Sequence, residues 1–358
     1  MQKRISNNEA LGWNEWFDEQ ARLSCDLTST AARVVAVDRG QFLLLNEMST
    51  FRAKLSGKYM FESNASEELP CVGDWVCVDK ADTDEYGQIN SVLARKTSLR
   101  RKAAGESVEY QMIAANIDFV IIVQSCNYDF NFKRLERYMV MVTDGGASPY
   151  ILLTKTDLVT PEVLDSQLAQ LKDPAITAPI LTLSNVTGEG LEDLRSVLSL
   201  GKTYCFVGSS GVGKSTIING LLGRDVLETK AVFGTGEGRH TTVRRELIVL
   251  ENGAMVIDNP GMREFGILSA ESGIETSFSD IIRLSSQCHF RDCTHTNEPG
   301  CSVIEALDSN EIDPEHYDNF IKLSSESEFN QMSYAEKRKK DRSFGRFIKT
   351  AKKDLNRK

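Results

Sequence analysis

The segment Gly208-Ser209-Ser210-Gly211-Val212-Gly213-Lys214-Ser215-Thr216 holds the residue types that a bound phosphate chain needs. Glycines let backbone N–H groups turn inward around phosphate oxygens, Lys214 neutralises β- and γ-phosphate charge, and the Ser215 hydroxyl can ligate Mg²⁺. Earlier in the chain, Thr154-Lys155-Thr156-Asp157 has the make-up of a base-reading loop. The Asp157 carboxylate can accept from guanine N1–H and N2–H₂ together, a donor pair that adenine does not present. Asp258-Asn259-Pro260-Gly261 offers a carboxylate to hold Mg²⁺ through water and a glycine, Gly261, beside the γ-phosphate. Between them lies Gly238-Arg239-His240-Thr241-Thr242, where a switch segment must supply a threonine, Thr241 or Thr242, to the metal. Ser184-Asn185 with Gly188-Glu189-Gly190 suits a tight turn behind the base, although Asn185 replaces the more usual alanine. The chemistry these groups can do together is binding and hydrolysis of a guanine nucleotide.

Such loops work only if strands deliver them to one place. Thr203 to Val207 reads as the strand before the phosphate loop and Ser215 to Leu222 as the helix after it. Apolar runs at Phe119–Val123, Tyr150–Leu153, Ile180–Leu183 and Ala254–Ile257 read as further buried strands. Every candidate loop then sits at the carboxyl edge of one parallel sheet, where open α/β folds bind ligands. The base-reading loop precedes the phosphate loop, the reverse of the usual order, so the nucleotide domain is circularly permuted. Moving the termini leaves the spatial site intact. It also ties whatever follows Asp258 to the segment that senses the γ-phosphate.

The flanking regions read differently. Ala32–Val37, Gly40–Leu45, Phe51–Leu55, Asp74–Val78 and Gln88–Leu93 predict five short strands separated by turn residues, which suits a small Greek-key barrel of the OB type. Asn14 to Leu23, beside Trp13, Trp16 and Phe17, predicts an amphipathic helix packed on that barrel. Arg95, Lys96, Arg100, Arg101 and Lys102 fit either an RNA-contacting patch or a solvated linker. Near the other end, Cys288, Cys293, His295 and Cys301 supply three thiolates and an imidazole, a closed tetrahedral set for a structural Zn²⁺. His289 is the rival ligand, but it adjoins Cys288 and is poorly placed to reach the same metal. His316 reads as structural, and Ile312 to Leu323 as helical.

A chain of 358 residues suits two or three domains, and its net charge of −9 excludes a uniformly basic nucleic-acid binder while allowing a local basic surface. Residues 1–8 are polar and lead into no apolar run, and no stretch approaches a membrane span. A cytoplasmic, reducing setting is expected, in which clustered cysteines among the eight bind metal more often than they pair.

The motif order, Gly-Arg-His-Thr-Thr at 238–242, Asp-Asn-Pro-Gly-Met-Arg-Glu-Phe at 258–265 and the cysteine cluster together resemble the circularly permuted ribosome small-subunit-dependent GTPase A family. The resemblance runs from about Ala31 into the C-terminal region. It implies an OB-type barrel over 31–103, the α/β P-loop GTPase domain over 104–268, and a mainly helical zinc-binding domain with a basic tail over 269–358; residues 1–30 lie outside it and are expected, from their own pattern, to form a helical extension. Nothing in the sequence demands more than a monomer. The resemblance further implies a GTP hydrolase that binds the small ribosomal subunit and its 16S-type rRNA during late maturation. The alternative is an RNA-binding, GTP-sensing module in which hydrolysis is incidental. The tail, with Lys337–Lys340, Arg342, Arg346, Lys349, Lys352, Lys353, Arg357 and Lys358 around Phe344 and Phe347, reads as a further rRNA contact. Met262 stands where Ras-like enzymes carry a water-orienting glutamine, so intrinsic hydrolysis is expected to be slow. His240 is then the candidate base, with ribosome contact as its other reading. Thr154 replaces a common asparagine, and guanine preference should survive because Asp157 reads the base.

Overall fold

Alternating apolar residues decide which face of each strand is buried, and the first five strands of this protein curl until their apolar faces meet. The computed structural model describes residues 7–26, 28–38, 40–47, 49–63, 65–80, 85–102, 110–172, 176–223, 245–258 and 270–332. His240, Thr241, Thr242, Gly261, Met262 and the basic tail lie outside the described residues.

After helices α1 (Asn7–Ala10) and α2 (Glu15–Ser24) come β1 (Thr30–Asp38), β2 (Gln41–Leu45), β3 (Thr50–Leu55), helix α3 (Gly57–Glu62), β4 (Trp75–Asp79) and β5 (Gly87–Val92). Pairing runs β1-β2-β3-β5-β4 and returns to β1, closing a five-stranded barrel. Ala32, Val34, Phe42, Leu44, Ala53, Val76, Val78 and Ile89 fill its interior. Trp75 and Cys77 point the other way and are covered by α2 and the turn before it: the Trp13 ring of that turn and the Phe17 ring of α2 lie 4.7 and 5.9 Å from the Trp75 ring.

Two findings depart from the sequence reading. The segment expected to be a patch or linker contains a strand, β6 (Ser98–Lys102), which pairs with β7 (Tyr110–Ala115). Arg95 is also withdrawn from the basic patch: its guanidinium holds the buried Asp74 carboxylate through two 2.8 Å bonds and donates to the Glu67 and Leu69 carbonyls. Arg100 instead stacks 4.1 Å over Tyr110. The second is a disulfide between Cys25 and Cys77, outside the cysteine cluster, for which the reading of clustered cysteines as metal ligands made no provision.

The nucleotide region continues with β8 (Phe119–Ser125), α4 (Phe132–Asp144), β9 (Ser148–Thr154), α5 (Pro161–Gln170), β10 (Ile180–Leu183), α6 (Leu191–Val197), β11 (Thr203–Val207), α7 (Lys214–Leu222), β12 (Glu246–Val249) and β13 (Met255–Asp258). Its strands run in the order β10-β9-β8-β11-β13-β12, all parallel except β12. Val120 and Ile122 face one side with α4, while Ile121 and Val123 face the other with Ile217, Ile218 and Leu194 of α7 and α6. Burial on both faces explains why these strands read as continuous apolar runs. β12 pairs with β1 through Glu246 and Ala36, so the barrel and the parallel sheet are one hydrogen-bonded system.

The C-terminal region is helical: α8 (Glu271–Ser277), α9 (Ser279–Ser285), α10 (Ser302–Asp308) and α11 (Pro314–Gln331). It packs on α4. At Gly273 an added methyl carbon would lie 2.1 Å from the Val140 carbonyl oxygen, so only glycine allows α8 to approach this closely. No helix among the described residues is long and apolar enough to cross a membrane.

Candidate functional site

The phosphate loop leaves the end of β11 with Gly208 at φ +144°, where a side chain would strike the Val123 carbonyl 2.2 Å away. Gly211 and Gly213 also take positive φ, +82° and +101°, so the loop needs glycine to turn its N–H groups inward. Lys214 opens α7 and folds back over the loop, with Nζ donating to the Gly208 and Ser209 carbonyls at 2.7 Å each. Two of its three N–H groups are thereby fixed, and the third remains for a phosphate oxygen. Burial lowers the Lys214 pKa to about 8, against the pull of Asp258 and Asp129. A phosphate chain would restore the full charge. Asp258 ends β13 with 2% of its surface exposed, on the same carboxyl edge.

The base-reading loop adjoins the phosphate loop directly. Thr154, fully buried at the end of β9, places Oγ1 2.7 Å from the Val212 carbonyl and 3.2 Å from that of Gln124. Lys155 takes a left-handed backbone, φ +58°, and starts the single turn Thr156–Leu158 that carries Asp157. Ser184 Oγ donates to Asp157 Oδ1 at 2.6 Å and accepts from the Val186 and Thr187 amides, which binds the loop after β10 to the loop after β9. Asn185 lies against the phosphate loop, its Nδ2 2.7 Å from where a Cβ on Gly213 would stand. Thr154, Lys155, Thr156, Asp157, Ser184, Asn185 and the segment 208–216 are therefore brought to one edge in spite of their scrambled order.

Sequence reasoning passed over some neighbours. Tyr128 and Asp129 follow β8 into the same region. The Tyr128 ring is largely exposed and lies 5.9 Å from Lys155 Nζ, and Asp129 pairs with Arg134 at 2.9 Å while its charge reaches Lys214. An exposed tyrosine in a polar loop carries no sequence signal of its own.

The thiol cluster lies on the loops between α9 and α10. The ligand atoms of Cys288, Cys293, His295 and Cys301 are all within 4.8 Å of one another. Cys288 Sγ is 3.8 Å from Cys301 Sγ and 3.6 Å from His295 Nδ1, and His295 Nδ1 is 3.4 Å from Cys301 Sγ. With Zn–S about 2.3 Å and Zn–N about 2.05 Å, tetrahedral geometry predicts separations of about 3.8 Å and 3.6 Å, so the donor set fits the ion. The His289 ring instead packs edge-on against Phe290 at 4.7 Å. His316 is far from any such role: both its nitrogens meet carboxylates, Nδ1 that of Glu136 on α4 and Nε2 that of Asp280 on α9 at 3.2 Å.

A cavity of about 150 Å³ lies at the opposite, amino-terminal edge of the sheet, lined by Arg33, Asn116, Asp118 and Thr203 among others. Arg33 already donates to the Leu11, Gly73 and Asn116 carbonyls and to Thr203 Oγ1, so the cavity is a structural junction.

The profile of the RsgA GTPase family matches residues 92–268. A Listeria monocytogenes protein named small ribosomal subunit biogenesis GTPase RsgA 2 is 42% identical over 319 residues, covering 89% of this chain and 88% of its own length. Among solved structures, YjeQ from Thermotoga maritima superposes with a TM-score of 0.62 at 26% identity, over 82% of this chain and 97% of that one. YloQ, described as a circularly permuted GTPase, shares the fold with a TM-score of 0.60 at 24% identity, over 86% and 97% of the two chains.

Proposed function

The chain belongs to the RsgA GTPase family, and from that we propose that it hydrolyses GTP to GDP and phosphate on the small ribosomal subunit, in late maturation of that particle. What carries this function is the contact of Thr154 with the Val212 carbonyl, which joins the base-reading and phosphate loops of a permuted chain. Asp157 reads guanine, and residues 208–216 cradle the phosphates. Mg²⁺, held by Ser215, by Thr241 or Thr242, and by Asp258 through water, would supply positive charge against the β- and γ-oxygens. Lys214 adds its remaining N–H to the same charge. Gly261 adjoins the γ-phosphate, and His240 accepts the proton of the attacking water once the subunit docks. The Cys288-Cys293-His295-Cys301 cluster holds a structural Zn²⁺.

The working units are the barrel over 31–103, the nucleotide domain over 104–268 and the C-terminal domain over 269–358. The protein works as a cytoplasmic monomer. The barrel and the basic tail contact rRNA, with Lys96 and Arg101 as barrel-side cations in place of Arg95 and of Arg100, which pairs with Asp144 at 3.4 Å.

Phosphate release from GTP, measured with and without purified small subunits for the intact protein and for His240→Ala, tests the proposal. Stimulation by the subunit is expected for the intact protein and its loss, with nucleotide affinity retained, for the variant. Equal turnover with and without subunits would leave only a GTP-sensing RNA binder. Full stimulation of His240→Ala would remove the histidine from the chemistry.

A further inference from the structure

Cys25 and Cys77 take part in neither the nucleotide edge nor the thiol cluster, yet they are bonded to each other. Cys25 caps the end of α2 and is half-buried, Cys77 is fully enclosed in β4, and their Cα atoms are 5.4 Å apart across 52 positions of chain. That spacing allows a disulfide without backbone movement. Cys77 lies two residues from Trp75 on the same face of β4, and Trp75 is the ring that Trp13 and Phe17 cover. A covalent bond and an aromatic seam therefore fasten the same helix to the same strand.

The other end of this segment crosses to the nucleotide sheet. At Gly12, φ +88°, a methyl carbon would lie 3.0 Å from both the Gly201 carbonyl oxygen and the Arg33 guanidinium. Arg33 in turn donates to the Leu11 carbonyl and to Thr203 Oγ1 at the start of β11. Residues 7–25 are thus a strap over the barrel and the amino-terminal edge of the parallel sheet.

We infer that Cys25–Cys77 is a reversible thiol–disulfide site that fastens this strap. In closing, the Cys25 thiolate attacks a small-molecule disulfide such as oxidised glutathione, forming a mixed disulfide and releasing one glutathione thiol. The Cys77 thiolate then displaces the second glutathione. Overall two protein thiols lose two electrons and two protons, and the glutathione disulfide gains both. Opening by a reducing thiol reverses these steps. Attack falls on Cys25, because Cys77 is enclosed, and expels the Cys77 thiolate into apolar surroundings before it takes up a proton. Opening is therefore slow beside that of an exposed disulfide, and nothing in the cycle depends on nucleotide.

The full-length chain, equilibrated in glutathione buffers of rising oxidised fraction, denatured into N-ethylmaleimide and mapped by mass spectrometry, reports the bond. Tryptic cleavage after the exposed Arg22, followed in the same buffers before denaturation, reports the strap. The cross-linked Cys25–Cys77 peptide is expected to accumulate, and cleavage to slow roughly ten- to a thousandfold, the upper figure being set by the chain entropy of so long a loop. Cys25→Ser and Cys25→Ala, each checked for native circular dichroism, should be cleaved at the fast rate in every buffer. Recovery of Cys25 only as its glutathione adduct would overturn the site. Intact-like protection of both variants in oxidising buffer would overturn its fastening role.

Discussion

The nucleotide edge and the attachment of the C-terminal helices use charge in opposite ways. At the nucleotide edge, loops are tied by hydroxyls and by backbone carbonyls: Thr154 to Val212, Ser184 to Asp157, and Lys214 to Gly208 and Ser209. In the attachment, charged groups meet each other. His316 sits between Glu136 and Asp280, Asn319 donates to Glu136 Oε2 at 2.7 Å, and Arg137 meets both oxygens of Glu326 at 2.7 Å. Burial alone would lower the His316 pKa, but hydrogen bonds to Asp280 and Glu136, and their charges, raise it to about 10. One region keeps cationic capacity for a ligand, and the other consumes its charges to fix a helix in place. Lysine bound to carbonyls can still meet phosphate, whereas a histidine held by two carboxylates has nothing left to offer.

The sharpest break of this contrast is Lys214→Ala. Turnover of GTP should fall roughly 100-fold or more, the usual cost of removing a charged donor from a developing oxyanion, with the urea midpoint nearly unchanged. Phosphate release and denaturation on one preparation check both halves, and a large loss of stability would mean Lys214 is consumed structurally as His316 is. Next comes His316→Ala, which strips the buried Glu136 of its cation. Unfolding in urea should show a loss of about 3–5 kcal/mol with GDP affinity unaltered, and a selective loss of nucleotide binding would erase the distinction.

The contrast also has a pH signature. The folded pKa of His316 lies above its unfolded value near 6.5, so its contribution is complete below about pH 6.5 and is lost as pH rises toward about 10. Urea midpoints from pH 6.5 to 10 should decline in the intact protein more steeply than in His316→Gln. The smallest effect belongs to Thr154→Val, which keeps the shape and removes one neutral donor. About 1 kcal/mol, or roughly five- to tenfold weaker GDP binding, is expected by fluorescence titration, and an unmeasurable change would make the Val212 contact incidental.

What was legible in the sequence followed its range. The barrel strands, the parallel strands and the phosphate loop announce themselves within a few residues, through alternation, apolar runs and glycines placed where φ must be positive. Strand β6 did not, because Ser98-Leu99-Arg100-Arg101-Lys102 is basic and owes its form to the partner strand Tyr110–Ala115. The His316 triad joins positions 136, 280 and 316, and the Cys25–Cys77 bond spans 52 positions, so no local pattern could reveal either. Arg95 misled for the same reason: a basic run looks solvated until its carboxylate, Asp74, arrives from the turn before β4.

The pairing of β1 with β12 closes an exit that most open sheets leave available. Strand β12 would otherwise present bare N–H and C=O groups at the rim of the nucleotide sheet, a template for association with other chains. The barrel's first strand covers that rim at Ala36 and Glu246. Excising the barrel would thus uncover a sticky border and leave the trimmed nucleotide domain more prone to self-association.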